Sequence, residues 1–303
     1  NVITNTEKSI VNIKKSNIFM WILGGFVPSC FLSVITNKIT IDIAPIPLLW
    51  IIPLGIYFLS FSIAFSDKFK KFELFNQGSL LFTIILFFVH ITSSSNSYLV
   101  VFCLLSLLFV SISFHRYLYQ NAPDKHYLTL FYLFMSVGGA LGGTFVGVIS
   151  PLIFNEYTEF YIIVFIICIL CLQFSKKENT KYNFKQNAMY FVPFIFIFSF
   201  GIYKKYDNES ISLYQERTFF GLNKVSESNF INNDINYNIK KLTHGTTLHG
   251  AQIIKPKSLS NQTLTYYSKD NPIYLSIKDY DDFYNFKNIL FPHLQFKNYN
   301  KNN

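Results

Sequence analysis

Arginine is nearly missing from this chain. Only two of its 26 basic residues are arginine, Arg116 and Arg217, and the rest are lysine. A nucleic-acid surface favours the planar, bidentate guanidinium in a patch interleaved with aromatics. The net charge of +9 therefore reads as scattered loop lysines, and nucleic acid is excluded as a partner. Cysteine is also sparse. Cys30, Cys103, Cys168 and Cys171 all lie in apolar stretches, so no disulfide framework is implied. Cys168 and Cys171 are spaced CxxC, but no His or second CxxC stands at zinc spacing, and no metal site is expected. Carboxylates are missing from the middle of every apolar run, which argues against a proton- or ion-coupled transport core. There is no phosphate loop, no GxSxG and no GxGxxG.

Long apolar runs are what the sequence has in abundance. The one around which the chain is organised is His126 to Asn155, HYLTLFYLFMSVGGALGGTFVGVISPLIFN. Its apolar part, Tyr127 to Ile149, is long enough to cross a bilayer, which needs roughly 20 mostly apolar residues. Gly138 and Gly142 are four apart, as are Gly139 and Gly143, with Gly147 four further on. Residues at this spacing share a helix face. All five glycines are expected to form a groove against which another helix backbone packs closely. Pro151 is expected to end this helix.

In chain order, a polar segment (residues 1–17) precedes a helical membrane domain (residues 18–203). Its apolar runs are Ile18–Thr36, Ile43–Phe65, Gly78–Thr92, Tyr98–Phe114, Tyr127–Ile149 and Phe160–Phe174, with a marginal seventh at Ala188–Tyr203. Pro53 lies inside the second and should kink it. Polar connections are expected at Ser66–Asn76, His115–His126 and Glu156–Glu159. Lysines and Arg116 concentrate in alternate loops, which places the N-terminal segment on the cytoplasmic side. His90, near the end of the third run, is expected at the wet interface.

From Tyr206 the texture changes to short β-branched and aromatic segments: Leu213–Val225, Ile239–Leu242, Thr247–Ile254 and Gln262–Tyr267. A small β module is expected over residues 204–278, followed by a tail (279–303). His244 and His249 are best read as part of a hairpin turning at glycine, since a metal site would need a third ligand. The fold class is thus an α-helical membrane bundle of about six or seven spans followed by a small β-rich module.

Several blocks occur in an order that resembles one family. They are FVPSCFLSVITNKITIDIAPIPLLWIIPLGIYFLSF (Phe26 to Phe61), FHR (Phe114 to Arg116) with the glycine-rich span, RTFFGLNKV (Arg217 to Val225), LTHGTTLHGAQ (Leu242 to Gln252) and LTYYSKDNPI (Leu264 to Ile273). Together they resemble membrane-fused spermidine-synthase-like proteins of bacteria. The resemblance implies residence in the bacterial cytoplasmic (inner) membrane, with the lipid bilayer and a polyamine as partners. It also implies an aminopropyltransferase-like part that begins with a β module, whose polyamine side is lined by a Gln and a Tyr. The similar positions here are Gln252 and Tyr267.

Two departures from the family stand out. After Ile273 no Gly-rich loop with acidic residues follows, so no cofactor is expected in this chain. Decarboxylated S-adenosylmethionine is implied only for a full-length relative. The loop after FHR holds Tyr119 and Gln120 where relatives are expected to carry a Cys-His pair. The first residue is Asn, and the sequence reads as a segment of a longer product, catalytically incomplete by itself. The other function class in view is a membrane transporter or scaffold without enzymatic activity.

Overall fold

The computed structural model describes residues 14–42, 48, 50–92, 96–178, 211–218, 221–232, 235–245, 247–260, 264–265 and 275. The expected seventh run, the tail and Tyr267 lie outside them. The helices are α1 (Lys15–Asp42), α2 (Ile51–Ala64), α3 (Phe72–Thr92), α4 (Asn96–Gln120), α5 (Leu128–Thr144), the short α6 (Ser150–Ile153) and α7 (Thr158–Glu178). A π-helical turn at Phe145–Ile149 joins α5 to α6, so Lys125–Ile153 forms one helical run. Among the described residues five runs are long and apolar enough to cross a membrane, and α2 is shorter. The strands are β1 (Ile211–Thr218), β2 (Gly221–Asn232), β3 (Ile235–His244) and β4 (Thr247–Lys255), in the order β1-β2-β3-β4.

The chain divides into two compact units. One comprises the helices together with Arg217–Gly221. The other comprises Asn208–Glu216 and the chain from Leu222 onward. Arg217–Gly221 thus joins the helical unit, whereas the sequence places these residues in the β module.

In the helical unit, α1 packs against α5, α4 and α7, and α3 packs against α4 and α7. The core between them is built from residues such as Phe31, Ile35, Phe87, Leu107, Phe114 and Ile167. The α1–α5 contact is a backbone contact. A methyl group on Gly138 would collide with the Ile22 carbonyl, and one on Gly25 with the Met135 carbonyl. One on Gly142 would sit 2.5 Å from the Phe26 carbonyl oxygen. Ser29 Oγ donates to the Gly139 carbonyl at 2.8 Å across the same seam. The groove is therefore made by Gly138 and Gly142 on α5 with Gly25 opposite. Gly139 and Gly147 face open space, and Gly143 comes no nearer than 3.9 Å to Ser29 Oγ. A spacing of four fixes which glycines share a face, but two such faces exist, and only the neighbour decides which is used.

Several boundaries differ from the sequence reading. Helix α4 runs on through His115 and Arg116 to Gln120, because nothing between Phe114 and Gln120 breaks a helix and both polar side chains turn inward. Helix α3 begins at Phe72, with Asn76 buried inside the bundle. Glu159 lies in the first turn of α7, where a carboxylate is favoured by the helix dipole. Pro53 occupies the first turn of α2. First-turn N–H groups have no intrahelical partner, so the expected kink has no cause there.

Pro151 does not end its helix, which continues to Ile153. A proline ring clashes with the carbonyl four residues back. A π turn directly precedes Ser150, and its backbone bonds run to the residue five back rather than four.

In the sheet unit, β2–β3 and β3–β4 pair antiparallel, with register shifts at Asn238/Ile239 and Leu242/Thr243. Gly245 turns the β3–β4 hairpin at φ 58°, a left-handed conformation that glycine adopts without steric cost. Leu213–Val225, read as one segment, is two strands. Leu264 and Thr265, in the last expected segment, are not in a strand.

Candidate functional site

Both arginines are buried, and among the described residues no lysine is. Arg116 donates from one terminal nitrogen to the Ala64 carbonyl (2.9 Å) and the Ser66 carbonyl (3.0 Å). It therefore caps the C-terminus of α2, where the helix dipole favours a cation. The Tyr119 ring lies 4.7 Å from its guanidinium, and the Tyr119 hydroxyl donates to Asp67. One residue earlier, His115 Nδ1 is 2.8 Å from Ser60 Oγ, and its ring stacks on Phe61. Asn76 joins three helices. Its amide nitrogen donates to the Cys171 carbonyl (2.9 Å) and to Ser175 (2.7 Å), and its oxygen accepts from Ser113 (2.9 Å). These contacts organise the bundle.

Arg217 does something different. It forms a bidentate pair with Glu159, at 2.8 Å and 2.6 Å, and also donates to the Glu156 carbonyl at 2.7 Å. The Tyr157 ring lies 4.4 Å from its guanidinium. Both side chains of the ion pair are 2 % exposed. Fork-to-fork pairing is the geometry in which an arginine is tolerated away from water.

Arg217 also borders a pocket of about 460 Å³ in the helical unit. The volume lies in the range typical of small-molecule sites. One wall is a stripe of α1: Ser33, Thr36, Asn37 and Thr40, spaced i, i+3, i+4, i+7 on one helix face. The facing wall is Trp50, Leu54, Val146, Gly147 and Pro151. Val146 and Gly147 belong to the π turn, a distortion often found at functional sites. Arg217, Thr218, Gly221 and Tyr157 complete the rim. A polar stripe on an otherwise apolar helix was legible in the sequence, and so was the rarity of arginine. What could not be read was that Arg217, remote in sequence, belongs to the same site.

Gly147 lines the pocket, and Gly138 and Gly142 form the helix seam. Gln252 is exposed on β4, opposite Lys240, and does not line the pocket. His244 and His249 come together across the β3–β4 hairpin with ring centroids 5.9 Å apart. No group of three or more His, Cys, Asp or Glu among the described residues could hold a metal ion. His90 contacts α7, with its ring 4.8 Å from that of Phe160 and Nε2 3.4 Å from the Tyr161 hydroxyl. All four cysteines are free and buried.

The described strands form a four-stranded antiparallel sheet. Comparison with protein-family models, with curated proteins and with solved structures finds no match to this chain.

Proposed function

We propose that this chain is an integral membrane protein of the bacterial cytoplasmic membrane, corresponding to the membrane region and β module of a spermidine-synthase-like fusion. The observation that carries the membrane part is an inversion of polarity. Leu152 is 83 % exposed, and Phe58, Leu59, Leu133 and Leu141 also face outward. Asn76, His115, Ser113 and Arg116 face inward. Apolar surface of this extent is unfavourable in water and natural against lipid. The β-module part is supported by the blocks quoted from the sequence and by a four-stranded sheet lying C-terminal to the helices. On this reading Gln252 and Tyr267 line the polyamine side, and the chain does not transfer aminopropyl groups by itself.

Two measurements test the proposal. The protein should stay in the membrane pellet after alkaline carbonate extraction, and release into the supernatant would overturn the membrane assignment. Purified protein should bind putrescine or spermidine, and Gln252→Ala or Tyr267→Ala should weaken that binding. Equal affinity in both variants would remove the polyamine assignment and leave the membrane assignment standing.

A second reading, a transporter or scaffold without enzymatic activity, is favoured by the pocket between the helices. Uptake of a solute into liposomes that is lost on filling the pocket with Gly147→Leu would put this reading first.

A further inference from the structure

We infer that the pocket beside α1 takes the neutral, hydroxyl-bearing head of a lipid from the bilayer, and discriminates against phosphate and against polyamines. The inference rests on the membrane reading above and adds the ligand class of the site.

The donors and acceptors of the polar wall decide the chemistry. Ser33 donates its hydroxyl proton to the Ser29 carbonyl at 3.0 Å. Thr36 donates to the Leu32 carbonyl at 2.7 Å. Thr40 shares its proton between the Thr36 and Asn37 carbonyls, both at 3.0 Å. A hydroxyl has one proton and two lone pairs. With each proton committed to the helix backbone, these three oxygens meet a ligand as acceptors. Asn37 adds an amide with both capabilities.

Such a wall welcomes O–H donors. These three hydroxyls have no proton left for an ionised phosphate, whose oxygens only accept. The cation at the rim is already neutralised, because Arg217 holds Glu159 through two bonds. A protonated polyamine can donate to the same oxygens, but a multiply charged cation away from water also needs compensating carboxylates. No Asp or Glu lines the pocket among the described residues, and the Glu159 carboxylate is occupied by Arg217. The facing wall of Trp50, Leu54 and Val146 suits the start of an acyl or prenyl chain. Gly147 is what leaves room there, since a side chain at that position would grow into open space beside the π turn.

The experiment uses the full chain in phosphatidylcholine nanodiscs with a photoreactive, diazirine-bearing 1-monooleoylglycerol. Labelling should map to the peptide containing Ser33–Thr40, and unlabelled monooleoylglycerol should compete. Oleyl phosphate and spermidine should compete far less. The near-isosteric double variant Thr36→Val/Thr40→Val keeps the volume and removes two acceptors, and should weaken labelling on the order of tenfold. Gly147→Leu should abolish it, while Gly139→Ala, outside the pocket, should not change it. Equal labelling of wild type and the double variant overturns the inference. So does competition by oleyl phosphate or spermidine as strong as that by monooleoylglycerol. Co-elution of the protein with the nanodiscs tests the membrane reading separately: incorporation without labelling refutes the pocket inference alone.

Discussion

The sharpest prediction concerns two adjacent glycines. Gly138→Ala places a methyl group against the Ile22 carbonyl, and Gly139→Ala places one where nothing lies within 4 Å. The atoms that would have to yield at Gly138 are backbone, so no rotamer change relieves the clash. Helices α1 and α5 must separate instead, which stretches the 2.8 Å bond from Ser29 to the Gly139 carbonyl and opens the seam along Gly142. Overpacking of this kind costs about 1–3 kcal/mol, and the absence of a flexible neighbour puts this case at the upper end. Gly139→Ala has no such cost and gains up to about 1 kcal/mol of helix propensity. The two variants should therefore differ by about 2–4 kcal/mol, or very roughly 5–10 °C in melting temperature for a unit of this size.

The protein carries its own reporter for this comparison. All four cysteines are free and buried, so a fluorogenic maleimide reads thermal unfolding in detergent directly. Wild-type melting for Gly138→Ala, or equal losses for the two variants, would refute the assignment of the seam.

Three further outcomes follow from single contacts. Glu159→Gln or Arg217→Met leaves one buried charge without its partner, and each should cost about 3–5 kcal/mol. The apolar double variant Glu159→Leu/Arg217→Met should recover much of that loss, and a double variant no better than the singles would show that the pair is not the relevant unit. Asn76→Leu removes the bonds that join Ser113, Cys171 and Ser175 through one amide, and should lower bundle stability by about 1–3 kcal/mol. Retention of wild-type stability there would mean that water reaches the site. In the sheet unit, the hydrogen bond that Tyr214 donates to Glu216 holds its phenol above the usual tyrosine range. A raised pKa favours the protonated, folded form below the ordinary tyrosine range, and that contribution is lost as pH rises through the raised value. An ultraviolet titration should show Tyr214 ionising late in wild type and at ordinary pH in Glu216→Gln.

Sequence and structure agree where one dominant force acts along the chain. Long apolar runs and β-branched segments report burial and pleating locally, and the order of helices followed by a small sheet was legible for that reason. Boundaries were not. Polar residues read as loop markers in the sequence, whereas Asn76, His115, Arg116 and Glu159 are all helical. In water a charged residue usually marks the outside of an element. In a bundle whose outside is apolar, it marks the inside, because only another helix can supply its partner.

The same inversion explains the arginines. Lysine suits exposed loops. A buried cation that must satisfy two acceptors in fixed positions calls for a planar fork. Arg116 satisfies the carbonyls of Ala64 and Ser66, and Arg217 the two oxygens of Glu159. The scarcity that first excluded nucleic acid thus pointed to the two buried cations of the helical unit. Their partners, remote in sequence from both arginines, are set by packing alone. The polar stripe of α1 obeys the same logic. Its hydroxyl protons are satisfied within the helix and need no partner element. Ser33, Thr36 and Thr40 can therefore face a pocket, with their lone pairs turned toward whatever enters it.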